Sequence, residues 1–432
     1  MGKSTQTALG YLLHQREKTS ELVWLKDLER QCGVYVNGLQ GKGKSTFLLT
    51  ILLQDLKKGA PVIVIDPHED LNRYLIATMP EERISDIRWF NLREQQKNPF
   101  VLNLFACRNP CDLSEREHVR NRAIQIFEKL WPEIATQPAV KKMLRNLIEV
   151  LIDHPEMTLA DIPALLSDRR CLIQRKRRVH DCLIRSYWQA DDGITREDAR
   201  RLLEDRFDEL LSDEVVRRTI CSRASTFDAA ESIIKGEVLL FSLPVNDPIW
   251  QQSARIIGTI LISLITSATF SLGQIEMQKR SHFTFVIDEF HYFATIENDI
   301  AALFAQGRKF GCRMMIANQY RQQIQDTSTK EATLTASTMV TFAAHPSDAK
   351  ELAPLFHESA PRLMNLGKRE ALLRLGNGKN GKQTRAAVVT LNAPPSSDSA
   401  TVEKRKQQIW AQTIATYGEE LGERLKEKTN IT

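Results

Sequence analysis

One segment restricts this chain more than any other feature: Gly38-Leu39-Gln40-Gly41-Lys42-Gly43-Lys44-Ser45 fills the pattern G-x-x-x-x-G-K-[ST]. It follows the apolar run Val34-Tyr35-Val36-Asn37 and opens the helical pattern Thr46–Leu56. Strand, loop and helix in that order are the context the pattern needs. The glycines let the backbone wrap a phosphate group, the loop N–H groups point inward, and the helix N-terminus adds partial positive charge. Gly38, Gly41, Lys42, Gly43, Lys44, Ser45 and Thr46 are therefore the candidate nucleotide-binding residues. Lys44 is expected to reach the β- and γ-phosphates of ATP, and the Ser45 hydroxyl to ligate Mg2+.

Along the rest of the chain, short apolar runs alternate with helical stretches, which predicts an α/β fold with a mostly parallel sheet. Candidate strands are Gly33–Asn37, Pro61–Ile65, Ile87–Asn91, Glu237–Leu243, His282–Ile287, Cys312–Ala317 and Met339–Ala343. Between the early and late strands lies a stretch rich in Arg, Glu and Leu, read as an inserted helical domain over 113–230. The ATPase core is then 33–112 with 231–393, preceded by a lead-in over 1–32. Glu370–Leu375 and Gln383–Leu391 flank a Gly/Asn turn and read as a hairpin. Residues 394–432 read as a linker and a charged, amphipathic helical tail.

The catalytic half of the site is expected on two of the late strands. Phe283-Thr284-Phe285-Val286-Ile287 ends in Asp288-Glu289. Asp288 takes the part of the aspartate that holds the Mg2+ shell, and Glu289 that of the base that orients and deprotonates water. Cys312–Ala317 ends in Asn318-Gln319, and the Gln319 amide is expected either to sense the γ-phosphate or to cap the strand. Arg308, just before that strand, is either a solvated helix-end cation or an arginine finger that reaches a neighbouring subunit's nucleotide.

Bulk properties exclude several classes. A 432-residue chain that is 42 % hydrophobic and 26 % charged has a core to bury and is neither disordered nor fibrous. The net charge of +5 does not by itself point to nucleic acid. Seven scattered cysteines argue against a disulfide framework and for a reducing compartment. Cys107 and Cys111 lack a second Cys or His pair at zinc spacing. The N-terminus lacks the apolar core of a signal peptide. The uncharged run Ile256–Leu272 is interrupted by hydroxyl residues and Gly258, and reads as a buried helix rather than a membrane span. A cytoplasmic protein, docked at a membrane only through a partner, is the expectation.

Taken in order, the P-loop, the strand ending in Asp66-Pro67-His68-Glu69-Asp70-Leu71, Arg223–Asp228, the strand leading into Val286–Phe293, Gly307–Gly311 and Ala317–Gln319 resemble the HerA–FtsK superfamily of RecA-like ATPases. Within it, the likeness is to the coupling proteins of conjugation, the TraG/TraD group, and covers roughly Gly33 to Asn392. Glu69 stands where that group carries glycine, and the expectation is a shortened relative without that group's N-terminal membrane anchor. The resemblance implies a RecA-like core and a homohexameric ring that moves DNA through its pore in conjugation or type IV secretion. ATP would lie between subunits, against Lys44, Ser45, Asp288, Glu289 and Gln319 of one and Arg308 of the next. It also implies a relaxase, a nuclease or a secretion channel as partner. Two rivals stand beside this reading: a nucleotide-switched assembly module, and a HerA-like defence or repair ATPase working with a nuclease.

Weaker signals come last. Arg169, Arg170 and Arg175-Lys176-Arg177-Arg178, with Tyr187 and Trp188, are either a solvated helix face or a contact for the DNA backbone. Lys368, Arg369, Lys379 and Lys382 are solvated cations or pore-lining ones. His68 and His291 are expected to pack or cap, and Phe290, Tyr292 and Phe293 to enter the core.

Overall fold

Among the described residues the strands join in one 11-stranded sheet. The computed structural model describes residues 6–429 except 32, 95–99, 108, 110, 169–178, 180, 189–193, 294–296, 325, 377–382 and 396–397. The basic residues Arg169, Arg170 and Arg175–Arg178, and Lys379 and Lys382, lie outside the described residues.

Seven neighbouring strands are parallel: β9 (Thr338–Thr341), β3 (Val34–Asn37), β8 (Cys312–Asn318), β7 (Phe283–Ile287), β4 (Val62–Asp66), β6 (Val238–Ser242) and β5 (Ile87–Asn91). All match strands expected from the sequence. Six of them, β9 excepted for its Thr-rich ends, are short apolar runs, as strands covered on both faces require. Against them packs the helix α2 (Lys44–Lys57), whose Phe47, Leu48, Ile51 and Leu52 have no exposed surface. Each such side chain contributes roughly 1.5–3 kcal/mol on burial, so the helix that follows the glycine loop is firmly anchored. The α/β class and the mostly parallel sheet are as the sequence predicts.

The sheet continues on the other side of β9 with antiparallel strands. The hairpin of β10 (Glu370–Leu375) and β11 (Thr384–Thr390) forms as expected. Beyond it lie β1 (Gln6–His14) and β2 (Glu17–Lys26), in the segment read as a lead-in. This hairpin escapes a pattern reading because β1 is an almost unbroken apolar run containing Gly10. Gly10 is needed there: a Cβ would stand 2.5 Å from the Val389 carbonyl oxygen of the adjoining strand. The short helix α1 (Asp27–Arg30) then carries Arg30 into the core. Its guanidinium donates to both carboxylate oxygens of Asp55 on α2, at 2.7 and 2.6 Å, and to the hydroxyls of Thr7 and Thr284 at 3.2 Å.

The chain divides into two compact units. The first comprises Met1–Leu92, Ala229–Gln251 and Ile265–Thr413 and contains the whole sheet; the second comprises Arg93–Asp228, Gln252–Leu264 and Ile414–Thr432. Within the second, the helix Leu113–Leu130 is held to the helix Pro138–Asp153 by Arg116 and Arg120, which share the buried Glu149 at 2.5 and 2.6 Å. Phe127, Trp131 and Phe207 form its aromatic core.

The C-terminal helix runs over Ser399–Thr429. Its first half belongs to the sheet-bearing unit: Ile409 is fully buried, Trp410 stacks edge-on against Trp89 of β5, and Arg405 donates to the carbonyls of Ile76 and Ala77 on α3 (Asp70–Thr78). Among the described residues one helix, Gln251–Gln274, is long and apolar enough to cross a membrane, and 61 % of its most apolar window is buried.

Candidate nucleotide-binding site

Parallel register brings the sequence-predicted residues to one edge of the sheet. Asn37 of β3 pairs with Asn318 of β8, and Ile287 of β7 pairs with Ile65 of β4 and Ile316 of β8. The C-terminal ends of these strands are therefore level, and the glycine loop, Asp66, Asp288-Glu289 and Gln319 all follow them. Ligands of open α/β sheets bind outside such strand ends. The strand that ends at Asn318 runs between the P-loop strand and the Asp-Glu strand.

The loop has the backbone its glycines allow. Gly38, Gly41 and Gly43 take φ of 150°, 73° and 119°. A Cβ on Gly38 would meet Cβ of Phe342 at 2.6 Å, so only glycine lets the loop leave β3 there. The loop is tied back by Leu39 N–H donating to the Ala343 carbonyl (2.8 Å) and Phe342 N–H donating to the Asn37 carbonyl (2.9 Å). Gly43 caps α2 without a side-chain hydrogen bond. The first N–H groups of the helix are thus left without a side-chain acceptor at its N-terminus, as a phosphate site requires.

Lys44 is buried, and its Nζ donates to the Gly38 carbonyl at 2.7 Å. The same ammonium lies 3.5 Å from Oε1 of Glu289. Ser45 is exposed at the start of α2, and Lys42 and Thr46 are half-buried. Glu289 is a non-glycine residue in the left-handed region, with φ 42° and ψ 50°. Such a conformation costs on the order of 1–3 kcal/mol and persists where the surroundings hold it. Here it turns Glu289 back toward Lys44, while its N–H donates to Asp288 Oδ1 at 3.0 Å. The Gln319 side chain lies near enough to the Glu289 carboxylate to favour its ionised form.

Asp66, Asp288 and Glu289 are buried carboxyls at this edge, and Lys44 is a buried cation beside them. Burial pushes Glu289 up to about 7, with Asp288 adding repulsion and Lys44 opposing. Asp66 is also pushed up to about 7, by burial and then by Asp288, although it accepts N–H bonds from His68 (3.0 Å) and Asn72 (2.9 Å). Asp288 is raised by burial against the pull of Lys44 and His68. The cluster is short of positive charge. Among the described residues no group of three or more His, Cys, Asp or Glu side chains could hold a metal. Mg2+ takes one or two protein oxygens together with phosphates and water, and the Ser45 hydroxyl and the Asp288 carboxylate are oxygen donors of that kind.

The sequence reading assigned no charge role to Asp66, although the run Asp66–Leu71 carried the family resemblance. His68 packs edge-on against Tyr292 and lies 2.7 Å from Asn246 Nδ2, and His291 Nδ1 is 3.6 Å from Glu289 Oε2. Phe290 and Phe293 are buried, whereas Tyr292 is half-buried. Arg308 stands apart. It is exposed, before the first residue of β8, while Gln319 follows the last. Seven strand residues separate the two ends, about 20 Å, so Arg308 does not join the site of its own chain.

No protein-family model matches the chain, and no curated protein is detectably similar to it. Solved structures are. The plasmid coupling protein TrwB in complex with the GTP analogue GDPNP superposes with a TM-score of 0.59 at 15 % identity, over 92 % of this chain and 98 % of that one. TrwB in complex with ADP and Mg2+ gives 0.58 at 15 % identity, over 90 % of each chain. VirB4 of Thermoanaerobacter pseudethanolicus gives 0.59 at 14 % identity, over 90 % of this chain and 97 % of that one. The chain has the RecA-like α/β fold that TrwB and VirB4 share.

Proposed function

We propose that this protein is an ATP-hydrolysing motor that moves or delivers DNA in conjugative transfer or a related process. The observation that carries the reading is the convergence of Lys44, Asp288, Glu289 and Gln319 on the edge of the sheet where the glycine loop opens α2. TrwB, which has this fold, is described as a conjugative coupling protein and has been solved with ATP and GTP analogues and with ADP and Mg2+.

The division of labour follows from the chain's own groups. The loop N–H groups and Lys44 hold the phosphates, and Thr46 and Lys42 close the loop beside them. Mg2+, held by Ser45 and Asp288, would neutralise phosphate charge. Glu289 accepts a proton from the attacking water, and the Gln319 amide senses the γ-phosphate. In a homohexamer ATP would lie between subunits, with Arg308 supplied to the neighbour's site. DNA is gripped by its phosphates, so binding weakens steeply with salt. The protein works in the cytoplasm, with a relaxase, nuclease or secretion channel as partner.

The test is steady-state ATP hydrolysis with no DNA, single-stranded DNA and double-stranded DNA, beside Lys44→Ala. Stimulation by one form, lost in Lys44→Ala, is the expected result. Turnover that ignores DNA would replace the motor by a nucleotide-switched assembly module.

A further inference from the structure

The β10–β11 hairpin reaches the glycine loop through one residue. Arg369, which precedes β10, donates its backbone N–H to the Lys42 carbonyl at 2.8 Å. Its own carbonyl accepts from Thr390 N–H at 2.9 Å and from the Thr390 hydroxyl at 3.3 Å. The peptide is thus clamped between the loop and β11. Arg369 adopts φ of 64°, a conformation for which glycine is the ordinary choice. Its Cα and Cγ lie 3.3 and 3.2 Å from where a Cβ on Gly43 would stand. The aliphatic stem therefore lies on the last glycine before Lys44. Among the described residues no carboxylate pairs with its guanidinium.

From these observations, and resting on the P-loop reading above, we propose that Arg369 is a second phosphate-binding cation, supplied within the same chain by the C-terminal hairpin. Beyond Cγ an arginine extends by roughly 4 Å, enough to bring its fork from Gly43 to a phosphate at the mouth of the loop. Lys44 is a point charge already engaged with Gly38 and Glu289, whereas a guanidinium binds phosphate oxygens in pairs. A positively charged residue also answers the local excess of carboxyls. The left-handed backbone is what presents the stem to Gly43, and a phosphate role accounts for arginine at a position that glycine would occupy without strain.

The experiment is calorimetric titration of the full chain with ATP, ADP and AMP in Mg2+, using wild type, Arg369→Ala, Arg369→Gly, Arg369→Lys and Lys44→Ala. Losing a charged hydrogen bond to phosphate should weaken ATP binding by about 10–100-fold in Arg369→Ala. Arg369→Gly, which relieves the backbone strain, should lose as much; Arg369→Lys should recover part; AMP binding should not change. Wild-type ATP affinity in Arg369→Gly, or an equal loss for ATP and AMP, would overturn the assignment. If Arg369→Ala does not fold, the glycine and lysine variants decide. Failure of wild type to bind ATP at all would instead sink the P-loop reading, whereas loss in Lys44→Ala alone would sink only the role of Arg369.

Discussion

The ammonium of Lys44 stands between the Gly38 carbonyl oxygen, at 2.7 Å, and the Glu289 carboxylate, at 3.5 Å. The glycine loop and the carboxylate proposed as the base are thereby joined by a single side chain. Removing that cation leaves Glu289 with burial and Asp288 acting on it and its chief opposing charge gone.

Glu289→Gln should bind ATP and hydrolyse it about 10²–10⁴-fold more slowly, the usual worth of a general base. Its carboxyl, pushed up to about 7, must be ionised to accept a proton. Wild-type kcat/KM should therefore rise with pH through about 7, and that limb should vanish in Glu289→Gln. A variant with the wild-type pH profile would remove Glu289 from the role of base.

Asp66 sets a stability prediction of definite sign. Its carboxyl is pushed up to about 7 in the folded chain, above the range of an exposed aspartate. Between that range and about 7 the folded state holds more protons than the unfolded one, so this group makes stability fall as pH rises through the window. In thermal melts without nucleotide, Asp66→Asn should show a shallower decline from pH 5 to 7.5 than wild type. Each 1 kcal/mol shifts Tm by about 2–4 °C in domains of roughly 150–250 residues, well within the resolution of a melt.

The buried pair Arg30–Asp55, 2.6 Å apart with neither side chain exposed, ties α1 to α2. Arg30→Met alone should cost about 3–5 kcal/mol in urea unfolding, because it strands the Asp55 carboxylate in the core. The double variant Arg30→Met with Asp55→Leu should regain most of that loss. A small effect in the single variant would mean that Asp55 finds enough compensation in Thr284, which donates to it at 2.7 Å.

Arg308 gives a prediction about assembly. Removing an arginine finger costs roughly 10³–10⁵-fold in turnover. Arg308→Ala and Lys44→Ala proteins should each be inactive, yet a mixture should recover part of the activity if each site draws on two subunits. A mixture as inactive as its components would count against a shared site.

By itself the sequence determined the local pieces: the strand–glycine loop–helix unit around Lys44, the apolar strands that end in Asp288-Glu289 and Asn318-Gln319, and the turn of the late hairpin. Each is written in contiguous residues whose periodicity, glycines and terminal polar groups are a matter of local backbone chemistry. Tertiary structure decided what no neighbouring residue specifies. Strand order placed Gln319 between the P-loop strand and Glu289, though hundreds of residues separate loop and carboxylate. Packing drew Asp66 into the same buried charge cluster, because its strand pairs with that of Asp288 and water is excluded from both. A close approach of two backbones, at Gly10 and Val389, made the N-terminal segment part of the sheet, and another set Arg369 on Gly43. These depend on register and burial, which arise only when distant segments meet.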